Sequence, residues 1–214
     1  MANIQHKDIP EAQLHEVKGA STSTVGQVLT STGGAATFQT PSTAPAAGTV
    51  SQGVYDYNDL ATTSTPIPLT VAGTWYDLTN DGAGAFTNKT YALAGLTDIW
   101  NVSTNQFEWN NGTLLSLGDT VDLRVDIDII TTGANKAVEV DIELGIGGAP
   151  YKLPIIPLEN FKTAGTYHDV RLMSIYLGDT NTLNFPAKLE AKADGTGVSI
   201  VVNGWYVRPL HTNT

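Results

Sequence analysis

The chain has 214 residues, 41% of them apolar and 15% charged, with no cysteine and a formal net charge of -10. The absence of cysteine excludes a disulfide framework and any thiolate metal site. A surface this acidic repels nucleic-acid phosphates and anionic lipid, so neither nucleic acid nor a membrane is an expected partner.

The acidity is uneven. Residues 1–50 carry two lysines and three acids, which leaves nine basic and eighteen acidic residues in 51–214. The first residues, Met1 to Asp8, are polar and contain no apolar core of a secretory signal. No apolar run reaches the length of a membrane span. The expected location is a cytoplasm-like compartment, unless the chain leaves it as part of a particle.

Two parts follow from the composition: an arm, 1–50, and a head domain, 51–214. In the arm, Asp8 to Gly19 is the only stretch that is dense in both charge and apolar groups. Ile9 precedes Pro10 and is biased toward an extended backbone. Leu14 and Val17 can share one face of a single helical turn closed by Gly19. This reads as a short docking peptide, with Ile9, Pro10, Leu14, His15, Val17, Lys18 and Gly19 as the anchoring residues.

Ala20 to Val50 contains no charge, and 24 of its 31 residues are Ala, Gly, Ser, Thr or Pro. Such a segment has too little apolar side chain to fold by itself. Within it, Gly26-Gln27-Val28-Leu29-Thr30 and Ala35-Ala36-Thr37-Phe38-Gln39 flank a Gly33-Gly34 turn, which predicts a β-hairpin near 26–40. A lone hairpin is marginal in water, so Val28, Leu29 and Phe38 are expected to pack between several copies. Pro41 and Pro45 read as a stiff spacer.

From Val54 onward the pattern has period two. Val121, Leu123, Val125, Ile127 and Ile129 alternate with Asp122, Arg124, Asp126 and Asp128. Val138, Val140, Ile142, Leu144 and Ile146 alternate with Glu139, Asp141 and Glu143. The spacer Thr132 to Lys136 suits a hairpin loop, so these two strands are expected to pair antiparallel. Further strands are predicted near 74–78, 91–94, 98–102, 105–109, 167–177, 184–191 and 198–207. No amphipathic helix is evident. Many short strands between Gly/Asn/Asp turns predict an all-β antiparallel sandwich or jelly roll.

No residue pattern demands an enzyme or a cofactor. His6, His15, His168 and His211 form no zinc spacing, and no nucleophile elbow occurs. Gly145-Ile146-Gly147-Gly148 lacks the Lys and Ser/Thr of a phosphate loop and reads as a strand-to-loop turn. If the two strands pair, Asp122, Asp126, Asp128, Glu139, Asp141 and Glu143 crowd one face. A calcium ion could relieve that repulsion, but parallel strand carboxylates wrap an ion poorly and a solvated face is the better reading. The same carboxylates could suggest a glycosidase pair, although nothing marks a groove. Tyr55, Tyr57, Trp75, Trp100, Phe107 and Trp109 read as core or inter-subunit packing, with a sugar-stacking platform as the alternative. The acceptor triplets at Asn88, Asn101 and Asn111 have no meaning without secretion.

His15-Glu16-Val17-Lys18-Gly19-Ala20-Ser21-Thr22, followed by Gly26-Gln27-Val28-Leu29-Thr30 and Ala36-Thr37-Phe38-Gln39, resembles the N-terminal anchor of head-fibre and capsid decoration proteins of tailed bacteriophages. Similar Gly-Gln-Val-Leu units occur in tail fibres. Leu117-Gly118-Asp119-Thr120-Val121-Asp122-Leu123-Arg124-Val125 and Gly204-Trp205-Tyr206-Val207 look like the trimeric, tumour-necrosis-factor-like jelly roll of phage fibre heads. The resemblance implies a non-enzymatic homotrimer on the virion surface. Its arm would bind the major capsid protein or another head component. The alternative is a tail fibre that joins a tail component and recognises a host receptor, glycan or protein.

Overall fold

The computed structural model describes residues 28–32, 35–39, 48–110 and 114–213. The chain divides into two compact units, Met1–Pro45 and Ala46–Thr214, each taken by itself here. In the first, β1 (Val28–Thr32) and β2 (Ala35–Gln39) pair antiparallel, with Val28 opposite Gln39 and Thr32 opposite Ala35. The expected hairpin pairing is present.

The second unit is built almost wholly of strands. In chain order these are β3 (Val50–Gln52), β4 (Tyr55–Asn58), β5 (Ile67–Leu69), β6 (Tyr76–Asp77), β7 (Trp100–Asn101), β8 (Gln106–Phe107), β9 (Thr120–Thr131), β10 (Lys136–Leu144), β11 (Tyr151–Phe161), β12 (Gly165–Tyr176), β13 (Lys188–Ala193) and β14 (Val198–Thr212). Two short helices, α1 (Ala61–Ser64) and α2 (Thr180–Asn184), interrupt them.

One sheet has the order β12-β9-β14-β3, with β4 and β5 also on β14. The other has the order β11-β10-β13-β6. Treat β3, β4 and β5 as one broken strand, since they follow one another down the same edge of β14. The eight strand positions in chain order then fall first-eighth-third-sixth in one sheet and second-seventh-fourth-fifth in the other. That is two interlocked Greek keys, a jelly roll. The all-β sandwich expected from the alternation is the observed fold.

The expected pairing of β9 with β10 is not. β9 pairs with β12 and β14, and β10 with β11 and β13. The 132–135 connection, with Asn135 in the left-handed region at φ 54°, carries the chain from one sheet to the other. Alternation specifies which side of a strand faces inward; it does not name the strand beside it. The two apolar sets do meet, but across the inter-sheet space. Val121, Leu123, Val125, Ile127 and Ile129 of β9 and Val138, Val140, Ile142 and Leu144 of β10 are all fully buried.

Other expectations fare unevenly. Residues 91–94 form turns rather than a strand. The strand expected at 184–191 begins only at Lys188, because 180–184 is helical and Pro186 lies between. β11 and the broken first strand went unforeseen.

The long 78–119 connection packs its own aromatic cluster onto the core. Trp100 lies 4.7 Å from Phe107 and 5.8 Å from Trp205, and Phe107 stacks on Trp109 at 5.2 Å. These rings are almost completely buried, as are Tyr55 and Tyr57. A single glycine permits the close approach of β4 to β14. A Cβ on Gly204 would sit 2.8 Å from the Tyr57 carbonyl oxygen, at the point where the β9–β14 register slips between Val202 and Gly204.

Ile127 is 0% exposed between the sheets. An aspartate there has no partner, and an unpaired buried charge costs several kcal/mol against a typical total of about 5–15 kcal/mol. Ile127→Asp should therefore abolish soluble folding. Thr166→Asp, at an exposed position of β12, should leave the melting temperature within a few degrees of the parent. A well-folded Ile127→Asp would mean that β9 is inserted the other way round.

Candidate functional site

Ile9, Pro10, Leu14, His15, Val17, Lys18 and Gly19, the expected anchoring residues, lie outside the described residues. Val28, Leu29 and Phe38 lie on described backbone: Leu29 stands opposite Phe38 and Val28 opposite Gln39. Their packing against other copies lies outside what the structure describes.

In the sandwich the six acids do not share a face. Asp122, Asp126 and Asp128 project from the outer side of the β9 sheet. Glu139, Asp141 and Glu143 lie on the outer side of the β10 sheet. The crowding that made a calcium ion conceivable was a product of the assumed β9–β10 pairing. Among the described residues no group of three His, Asp or Glu is placed to hold a metal ion.

Each face is instead organised by cross-strand partners. On the β9 sheet, Arg208 Nη2 and Ser174 Oγ each donate to Asp122 at 2.5 Å. Burial pushes the Asp122 carboxyl upward, but these bonds and the Arg208 charge outweigh it and hold it below the usual range. Asn203 Nδ2 donates to Asp126 at 3.0 Å, and His168 Nδ1 lies 2.8 Å from Asp128. The Asp128 contact, then the charge of Asp126, raises the affinity of the exposed His168 for a proton. Arg124 lies over the Tyr206 ring at 5.1 Å.

On the β10 sheet, Lys192 pairs with Glu139 at 2.8 Å, and Lys188 reaches Asp77 at 2.9 Å and both Glu143 and Glu190 at 3.4 Å. Lys152 forms an ion pair with Glu190. Lys152 and Lys192 also lie over the two-sided Trp75 ring, at 3.8 and 4.2 Å from its centroid. Trp75 is thus the one ring of the sequence-selected set that stays half-exposed, and its surface is already taken by lysines.

Beneath that arrangement Asp141 and Glu190 are direct cross-strand neighbours, 5% and 2% exposed. Asp141 Oδ1 has no hydrogen-bond partner. Burial, reinforced by Glu139 on the same strand, pushes the Asp141 carboxyl above the ordinary aspartate range, against the attraction of Lys152 and Lys192.

A buried Asp–His pair escaped the sequence reading. His211 Nδ1 lies 2.8 Å from Asp119 Oδ2, and the same carboxylate accepts from the Thr212 and Ser116 backbone N–H groups. It ties the end of β14 to the turn before β9. Ninety-two positions separate the two residues, so no local signal could have joined them.

The least expected surface is the side of the sandwich where the sheets end in β11 and β12. Among the described residues β11 pairs only with β10, and β12 only with β9. Both are long edges, 11 and 12 residues. They expose Leu158 (59%), Leu172 (70%), Tyr176 (64%) and Val170 (45%). Long apolar edges invite pairing with another chain. Pro154 and Pro157 remove two donors from β11, so it resists strand addition and favours side-chain packing instead.

No family model and no curated protein matches the chain. Similar solved structures include a chain of the IBDV viral particle (TM-score 0.44, 9% identity, 87% of this chain and 36% of that one). A chain of infectious bursal disease virus, Gx strain, has TM-score 0.40 and 6% identity over 87% of this chain and 41% of that one. A xylan-binding domain from Paenibacillus barcinonensis has TM-score 0.34 and 11% identity over 80% of this chain and 99% of that one. The chain therefore spans less than half the length of these viral chains. At such TM-scores and identities the likenesses say nothing of function.

The Asp141 environment generates a pH-dependence with a definite sign. The folded chain holds the Asp141 proton to higher pH than the unfolded chain does. Folding is therefore favoured by this group at low pH, and that contribution is lost as pH rises through the raised value. Asp141→Asn removes the effect. Between about pH 4 and about pH 7, the melting temperature of Asp141→Asn minus that of the parent should become more positive. A difference that is constant with pH would contradict the assignment.

Proposed function

We propose that the chain is a non-enzymatic structural protein of a tailed-bacteriophage particle, a head fibre or capsid decoration protein held by its N-terminal arm. The observation that carries this reading is the β1–β2 hairpin. Its two strands pair as the sequence predicts, in a compact unit of their own, and the second unit is a complete jelly roll. A sandwich that closes its own core does not need the arm for stability, so the arm is available for attachment. The acid-rich outer faces suit display in water, since they are dressed with charge rather than with apolar side chains.

The proposed assembly is a homotrimer. The exposed apolar groups of β11 and β12 support it, because two long uncovered edges on one side of a sandwich are a liability for a solitary chain. A trimer also multiplies weak anchoring contacts through effective concentration, if three docking sites lie within reach.

Deleting residues 1–19 tests the anchor. The truncated chain should fold and assemble as the parent does, yet fail to enter particles when supplied in place of it. Normal incorporation, scored on purified particles, would sink the anchoring reading.

The assembly has its own test. The full chain at micromolar concentration should show three times its monomer mass by light scattering. Leu158→Asp combined with Leu172→Asp should give monomers with unchanged circular dichroism, because both side chains are exposed in the single chain. A parent that is monomeric, or a trimer that survives the double change, would exclude this interface.

A further inference from the structure

The Glu108–Asn110 segment after β8 and the Leu183–Pro186 segment, which runs out of the end of α2, line a cavity of about 280 Å³. Two backbone hydrogen bonds between Phe107 and Ala187, 2.7 and 2.9 Å, lock the two segments together. We propose that this cavity is a binding site for one neutral pyranose ring, the terminal or branch sugar of a surface glycan. The inference does not depend on how the chain is attached to a particle.

The first observation is Trp109. It is 1% exposed, lines the cavity, and its indole Nε1–H is buried without a hydrogen-bond partner. Buried donors are almost always paired, so an orphan calls for a physical account. Trp205 Nε1 is also unpaired, but Trp205 stands at 68° to Trp100, an arrangement in which a ring edge meets a ring face. Trp109 lies flat on Phe107, with 5° between the planes. An N–H in the plane of the indole cannot be directed at the Phe107 face from that position. Its partner has to come from elsewhere, and a hydroxyl in the cavity that Trp109 lines would reach the buried Nε1 with a small shift of its neighbours.

The second observation is the set of polar groups around that donor. Asn110 Nδ2 donates to Asn184 Oδ1 at 2.9 Å, which leaves the Asn110 carbonyl oxygen and the Asn184 amide hydrogens available. Glu108 Oε1 accepts from Asn101 at 2.7 Å, leaving its other oxygen. Both donors and acceptors are therefore left over among the residues that line this small space. Vicinal hydroxyls, each both donor and acceptor, match such a set.

Phe185 supplies the apolar part. Its side chain is 37% exposed and lines the same cavity. It is held in place by the glycine-rich turn 145–148. A Cβ on Gly148 would lie 2.8 Å from the Phe185 ring and 2.4 Å from Asn181 Oδ1. The Asn181 amide in turn clasps Ala149, donating to its carbonyl and accepting from its N–H. An aromatic face fixed in advance lowers the ordering cost of binding. A pyranose presents a patch of C–H groups to such a face and hydroxyls at its rim.

Size and charge narrow the class. The cavity sits at the small end of ligand pockets, which run roughly 300–1,000 Å³, so it takes one ring and not a chain. Among the described residues no Lys, Arg or His lines it, and Glu108 together with the chain's charge of -10 disfavours sialic or uronic acids. A neutral hexose or N-acetylhexosamine remains.

The test uses the full chain labelled with ¹⁵N and the methyl glycosides of glucose, galactose, mannose and N-acetylglucosamine. At least one should move the Trp109 indole N–H resonance, saturably, with a millimolar midpoint. Phe185→Ala should weaken that midpoint about tenfold or more while leaving the melting temperature near the parent's. Trp109→Phe, which keeps a ring and removes the donor, should weaken binding as read from the sugar's own saturation-transfer signal. If none of the four sugars moves the Trp109 resonance at tens of millimolar, the proposal is overturned. An unchanged midpoint in Phe185→Ala overturns it too, as does a resonance that responds to a proline-rich peptide and to no sugar. None of these outcomes bears on the anchoring arm, which the truncation of residues 1–19 addresses separately.

Discussion

β14 is paired along both of its edges. β9 runs beside it from Val198 to Leu210, and β5, β4 and β3 take the opposite edge in turn. The constraint this imposes is severe, because a slip of one residue would turn every inward side chain outward. Trp205, Val207, Ile200 and Val202 would leave the core together. The single slip that does occur, between Val202 and Gly204, is spent at a glycine where β4 passes too closely for a side chain. Thr62 secures the same place, accepting from the Val202 N–H at 2.8 Å while its hydroxyl also meets the Val202 carbonyl at 3.1 Å. The first strand can be broken into three pieces because β14 supplies a continuous template for all of them.

How much of this was legible in the sequence depends on what kind of information each element carries. β9 and β10 announce themselves through alternation, and their inward residues are the ones the pattern names. Their partners are not legible, because period two encodes a face and a jelly roll sends consecutive strands to opposite sheets. β11 was invisible for a different reason. It is an edge with Pro154 and Pro157 inside it and exposed side chains on both faces, so neither alternation nor β-propensity marks it. The three pieces of the first strand are too short to carry any period. Of the aromatic residues read as core or inter-subunit packing, all but Trp75 are in the core, but the mutual stacking across Trp100, Phe107, Trp109 and Trp205 joins segments a hundred residues apart.

The site residues divide in the same way. The docking peptide was chosen from local composition, and local composition can suggest a linear motif without any knowledge of fold. The cavity beside Trp109 could not be chosen so. Its walls come from 108–110 and 183–186, and the turn that positions Phe185 comes from 145–148. The glycine-rich turn did stand out in the sequence. What it accommodates, a phenyl ring and an asparagine amide, becomes visible only once the fold has brought α2 against it.

The faces and the edges of this sandwich differ in surface, and the difference follows from topology. The outer faces of both sheets carry acids, nearly every one answered by a lysine, arginine or histidine on the next strand, so they are hydrated and indifferent to one another. Leu158, Val170, Leu172 and Tyr176 are exposed where β11 and β12 end the two sheets, while Phe86, Tyr91 and Val71 are exposed on the loops elsewhere. A jelly roll has two such ends, and the other is closed by short strands: β6 in one sheet and the broken β3–β5 run in the other. Short edges offer too few free backbone groups to template a partner. The two sides are therefore not equivalent, and association through the long edges leaves the short ones facing outward. Among the described residues, then, an edge long enough to template a partner strand lies on one side of the sandwich, and there the prolines of β11 divert it toward side-chain packing.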